Sequence, residues 1–154
     1  MSIHAIQDPR PESWVVDLTG TLSPEDRAEI DDVARRVDEN GGELVVVVVK
    51  NLSGRQPRRF ATELGNLWHL NPRGVLILVA KQARAAEIVL GNDVDGRHQV
   101  GTSRMIMNFI LVPAFRSGNY AEGLLNGARA VERRLLVAEA TPEPRGAPAQ
   151  ALPL

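Results

Sequence analysis

The stretch Glu43-Leu44-Val45-Val46-Val47-Val48-Val49-Lys50 decides the fold. Its five consecutive valines branch at Cβ, which disfavours a helix and suits a pleated strand. Polar residues do not alternate with the apolar ones, so the strand is expected to be buried on both faces and to lie centrally in its sheet.

Upstream, Asn40-Gly41-Gly42 supplies a left-handed exit from a preceding helix. That helix opens at Ser23, which can accept hydrogen bonds from free backbone donors. Pro24 suits the first helical position, and Glu25 and Asp26 suit the positive end of the dipole. Ile30, Val33 and Val37 recur at helical spacing and form its buried stripe. Farther upstream, Ser13 to Asp17 reads as a short strand around Trp14, Val15 and Val16.

Downstream, Asn51 to Gly54 makes a loop and Pro57 stands near a helix start. Phe60, Leu64, Leu67 and Trp68 then share one side of that helix. Val75 to Ala80 is a second apolar strand, and Glu87 to Gly91 is joined to it by a connector short enough for a hairpin. Thr102 to Phe115 is densely apolar and reads as a helix that Pro113 should kink or end. Phe109 to Phe115 is expected to pack in the core; the alternative is a partner or membrane surface. A final helix is expected to be capped by Asn119, with Glu122 at the reciprocal position.

The order strand–helix–strand–helix–strand followed by a hairpin predicts an α/β protein: a single domain with a central mixed β-sheet flanked by helices. The length of 154 residues fits one such unit. Residues 1–12 read as an N-terminal arm, 13–138 as the α/β domain, and 139–154 as a disordered Pro/Ala-rich tail.

Composition narrows function by exclusion. Eighteen basic and nineteen acidic residues leave a net charge of -1, so no global field draws in nucleic acid. The six aromatic residues are not interleaved with basic ones as a stacking platform would require. The absence of cysteine removes disulfides, thiolate metal sites and a cysteine nucleophile. No apolar run approaches the ~20 residues of a transmembrane helix or forms a signal peptide. The expected location is cytoplasmic as written, and extracytoplasmic if a leader or anchor has been removed.

Two clusters carry candidate chemistry. Gly91-Asn92-Asp93-Val94-Asp95-Gly96 follows a strand, and carboxylates two apart on a glycine-flanked loop can face a hard cation such as Ca²⁺ or Mg²⁺. The same residue types also make ordinary turns. Asp17 likewise ends a strand, and ligands in open α/β sheets collect at strand carboxyl ends. Asp17, Asp93 and Asp95 are therefore the candidate metal ligands, on the expectation that they meet at one rim. Arg55, Arg58 and Arg59, with Lys50, surround a helix start and form a candidate anion site. His4, His69 and His98 show no metal-ligand spacing, and no nucleophile motif marks a catalytic residue.

The landmarks resemble the TPM domain family. They are Val16-Asp17 with Gly20, Leu22 and Ser23; Leu52 and Gly54; Phe60-Ala61 with Leu64 and Trp68; Gly74 to Ala80; Gly91 to Asp95; and Pro113, Phe115, Arg116, Gly118 and Tyr120. The resemblance implies a central sheet flanked by helices, divalent metal binding, and the phosphatase activity attributed to a plant member. It also implies membrane-anchored relatives that act outside the cytoplasm. Here Pro72 and Arg73 stand where the family carries an acidic residue, Asp95 where it carries glutamate, and Val100 at a further acidic position. These departures favour a non-catalytic interaction or assembly and maintenance module with a protein partner. The alternative is a divalent-metal-dependent phosphatase using Asp17, Asp93 and Asp95.

Overall fold

The alternating side chains of the valine-rich strand feed two separate cores. The computed structural model of the chain describes residues 2–136, and the tail expected at 139–154 lies outside them. Strand β2 (Glu43–Val49) is flanked by β1 (Val15–Asp17) and β3 (Gly74–Ala80), and β4 (Ala85–Leu90) completes a sheet in the order β1-β2-β3-β4. The first three strands are parallel and β4 is antiparallel to β3, as the hairpin reading required.

Leu44, Val46 and Val48 face one layer of helices, whereas Val45, Val47 and Val49 face the other. All six are fully buried, which is why no polar residue interrupts the run. The first layer holds α1 (Pro24–Glu39), through Ile30, Val33 and Val37, together with the C-terminal helices. The second holds α2 (Pro57–Leu67), through Phe60, Ala61 and Leu64.

Helix α1 is capped as its sequence predicts. Ser23 Oγ accepts from the Asp26 amide at 3.0 Å, and Asp26 Oδ2 accepts from the Ser23 amide at 3.1 Å. It ends at Asn40, and Gly41 takes the left-handed conformation at φ +86°. Helix α2 departs from the expected stripe at Leu67, which is 36% exposed. At ~100° per residue the buried positions Phe60, Ala61, Leu64, Gly65 and Trp68 centre about 90° away from Leu67, which leaves it on the flank.

The apolar segment expected at Thr102 to Phe115 starts earlier, at α3 (Arg97–Ile106). It continues through π-helical turns at Met107–Leu111 into α4 (Val112–Arg116). The Val112 amide bonds the Met107 carbonyl, five residues back. This wider winding lets the helix continue past Pro113 instead of ending, because the proline's missing donor and ring fall where the ordinary ladder is already interrupted. Helix α5 (Tyr120–Ala130) follows and continues in π form over Val131–Leu136. Asn119 occupies its N-cap position, but its side chain makes no capping hydrogen bond, so the expected capping box is not formed.

The N-terminal arm is bound to the sheet. Ile6 is buried beside α2, and Arg10 donates to Glu43 Oε2 at 2.7 Å, to Asp8 and to the Trp68 carbonyl. The crossovers β1–α1–β2 and β2–α2–β3 step the same way across the sheet but cover opposite faces. They therefore have opposite hands, and one departs from the right-handed sense that such connections nearly always take.

Candidate functional site

The parallel strands end together, so Asp17, Val49 and Ala80 bring three loops to one edge of the sheet. Asp17 Oδ1 accepts from the Thr19 amide at 3.0 Å and the Thr19 hydroxyl at 2.8 Å, while Oδ2 accepts from the Leu22 amide at 2.7 Å. Burial pushes the Asp17 carboxyl up. The amides of Leu22 and Thr19, the Thr19 hydroxyl and nearby Arg27 outweigh this and hold it below the usual carboxylate range.

A polar chain leads onward from Asp17. Thr19 and Thr21 hydroxyl oxygens lie 2.6 Å apart, and Lys81 Nζ donates to Thr21 Oγ1 at 2.9 Å. Because the Thr19 proton goes to the carboxylate, the Thr21 hydroxyl must donate to Thr19. The sequence of donors then runs from the Lys81 ammonium through both threonines to Asp17. Lys81 also stands 4.7 Å from the centre of the Tyr120 ring. Both oxygens of Asp17 are thus engaged in shaping its own loop.

Asp93 and Asp95 do not join Asp17, and the expected common rim is corrected here. Asp17 is level with Val48 and Val79, whereas the antiparallel β4 ends beside Val75, with the Gly91 amide bonded to the Gly74 carbonyl at 2.8 Å. Val79 and Gly74 are five residues apart on β3, or about 17 Å at ~3.3 Å per residue, so the pair lies at the opposite edge. There the loop serves as a latch. The Asp93 amide bonds the Pro72 carbonyl at 2.8 Å, Val94 is fully buried, and both carboxylates face solvent. A Cβ at Gly91 would stand 2.4 Å from the Pro72 carbonyl oxygen, so only glycine fits beneath the latch. Among the described residues no group of three His, Cys, Asp or Glu side chains could hold a metal ion together.

The candidate anion cluster is largely neutralised within the fold. Arg55 pairs with Glu63, and Arg59 approaches the same carboxylate at 3.7 Å. Arg58 contacts Glu87 at 3.2 Å and donates to the Ile88 carbonyl at 2.7 Å. Gln56 Oε1 caps the helix by accepting from the Arg59 amide at 2.8 Å. Arg73 forms no ion pair with Asp93 or Asp95 and donates to the Asn40 carbonyl at the end of α1 and to the Leu136 carbonyl. His69 and His98 are exposed.

Two features were not legible in the sequence. Beside Lys81 and Tyr120 lies a cleft of about 410 Å³ between the β3–β4 hairpin and α4, bordered by Arg84, Phe115 and Arg116. A shallower hollow on the far side of the same lysine and tyrosine carries Asp26, Glu29 and Glu122. On α3 and its continuation, Met105 and Phe109 are 58% and 72% exposed, and for Phe109 this corrects the expectation of core packing over 109–115. Spacing by four puts them on one face. The one trace in the sequence is that no acidic residue occurs between Asp95 and Glu122, which does not say which face of the segment is exposed.

A family model described as the TPM domain matches residues 15–134. Three NMR structures share the fold. The N-terminal domain of a protein from P. gingivalis is 24% identical with a TM-score of 0.80, covering 91% of this chain and 93% of that one. The N-terminal domain of the cg2496 protein from Corynebacterium glutamicum is 15% identical with a TM-score of 0.67, covering 94% and 88%. The BA42 protein from the psychrophilic bacterium Bizionia argentinensis is 21% identical with a TM-score of 0.67, covering 82% and 88%. No curated protein matches the chain. These likenesses concern the fold.

Proposed function

We propose that this chain, which belongs to the TPM domain family, is a non-catalytic binding module serving the assembly or maintenance of a larger complex. The disposition of its carboxylates carries this reading. Metal-assisted phosphoryl transfer needs acidic oxygens converging on one or two cations, so that a phosphoryl oxygen is polarised and a water activated. Asp17 spends both oxygens on its own loop, and Asp93 and Asp95 stand at the other edge of the sheet. The exposed apolar pair Met105 and Phe109, on a chain segment without acidic residues, is what a module presents to a partner.

The rival phosphatase reading makes opposite predictions. Titrating Ca²⁺, Mg²⁺ and Mn²⁺ while following the melting temperature, and assaying p-nitrophenyl phosphate in each metal, separates the two. A specific site filled at a hundredfold excess over its dissociation constant would stabilise the fold by about 2.7 kcal/mol. The binding module is expected to show no turnover. Turnover that depends on metal and disappears in Asp17→Ala, with folding retained, would overturn the proposal.

A further inference from the structure

The cleft between the β3–β4 hairpin and α4 has a cationic rim with no carboxylate facing it. The rim carries Lys81, Arg84 and Arg116. Among the described residues neither Arg84 nor Arg116 forms an ion pair, unlike Arg10, Arg36, Arg55 and Arg58. Lys81 is fixed between Thr21 and the Tyr120 ring, with the acidic hollow on its far side. The two arginines are therefore the uncommitted charges.

The remaining walls are apolar. On the hairpin side the lining is Val79, Ala80, Ala85 and Ala86, with Val79 and its cross-strand partner Ala86 on the sheet face that carries the C-terminal helices. Opposite them stand Val112 and Phe115, with Phe115 stacked on Tyr120 at 5.0 Å between ring centres. Planar guanidiniums with five donors suit an oxyacid head, and the aromatic pair suits a flat apolar body. The volume of about 410 Å³ lies within the range of small-ligand clefts. The position also follows the rule for open α/β sheets, beside the carboxyl end of a parallel strand.

We infer that this cleft binds a small organic acid, an apolar or aromatic body bearing a carboxylate or sulfonate head held by Arg84 and Arg116. The inference rests on reading the domain as a binding module, and it fails separately from that reading, because the metal and turnover assays do not involve this cleft. Arg84 also provides an internal control. It occupies the left-handed region at φ +54°, which asparagine tolerates better than arginine. Arg84→Asn is therefore expected to melt no lower than the parent, while losing one of the two head contacts.

The test uses 8-anilinonaphthalene-1-sulfonate as the acid and N-phenyl-1-naphthylamine as its uncharged counterpart. Binding to the full chain is followed by fluorescence and by amide shifts in ¹⁵N–¹H spectra. One saturable site is expected, with the largest shifts at residues 79–86 and 112–120. Arg84→Asn and Arg116→Gln should each weaken the sulfonate by about tenfold, the loss expected for one charge-assisted hydrogen bond. Neither substitution should change binding of the uncharged probe. Equal affinity for both probes, shifts centred on Met105 and Phe109, or unchanged affinity in the two folded variants would each overturn the assignment.

Discussion

Asp17 shows how one carboxylate can close a loop and be lost to ligand chemistry. Three donors converge on it, from the Thr19 amide, the Thr19 hydroxyl and the Leu22 amide. Replacing it by asparagine would set an amide nitrogen against the Leu22 N–H, leaving a half-buried donor unsatisfied. Asp17→Asn is therefore expected to lower stability by about 1–3 kcal/mol in urea unfolding at pH 7. The carboxyl is held below its ordinary value in the folded state, despite burial, by the amides of Leu22 and Thr19, the Thr19 hydroxyl and Arg27. Asp8 is lowered as well, chiefly by its hydrogen bond from Arg10. A folded-state value below the unfolded one means that the stabilisation is complete above about pH 5 and disappears as the pH falls through the folded-state values. The unfolding free energy of the parent should thus drop between about pH 5 and pH 2. Asp17→Asn should show a shallower drop, and an identical profile would rule out this role for Asp17.

At the scale of elements, the helix from α3 through α4 has two unlike sides. Leu111 is fully buried against α5, and a Cβ placed at Gly127 would stand 2.6 Å from Leu111 Cδ2. Phe109, two residues earlier, is 72% exposed. Leu111→Ala is expected to cost about 2–5 kcal/mol by cavity formation. Phe109→Ala should stay within about 0.5 kcal/mol of the parent. Chemical denaturation of both variants checks the contrast, and a large loss at Phe109 would contradict its surface placement. This sidedness was only partly legible. The periodicity around Met105, Ile106, Phe109 and Ile110 announces a helix but gives apolar residues to more than one face. Which face is inward depends on where the helix starts and on the π-helical turns before Pro113, which shift the later residues around the axis.

Across the whole molecule, protection should follow the two cores. The inner strands β2 and β3 are paired on both sides and covered by helices on both faces, whereas β4 is an edge strand with only Ile88 and Val89 buried. Native-state hydrogen exchange is expected to show the slowest amides at Val45–Val48 and Leu76–Val79. Faster exchange is expected in the Lys81–Arg84 connector, whose residues after Lys81 are exposed. Uniform exchange across the sheet would contradict this layered account.

What the sequence by itself determined is local chemistry and period. The valine run implied a central strand, Ser23-Pro24 and Gly41 bounded α1, and the short connector after Ala80 implied a hairpin, because β-branching, caps and turn geometry act over a few residues. The hairpin already carried the answer about Asp93 and Asp95, since reversing β4 sends its carboxyl end away from Asp17, but that consequence emerges only once strands are placed side by side. Only the tertiary structure decided which charges remained free. Arg55, Arg58 and Arg59 met Glu63 and Glu87, Arg10 joined the arm to Glu43, and Arg84 and Arg116, far apart in the chain, came to border one cleft. Such pairings are set by packing between distant segments, and no spacing along the chain encodes them.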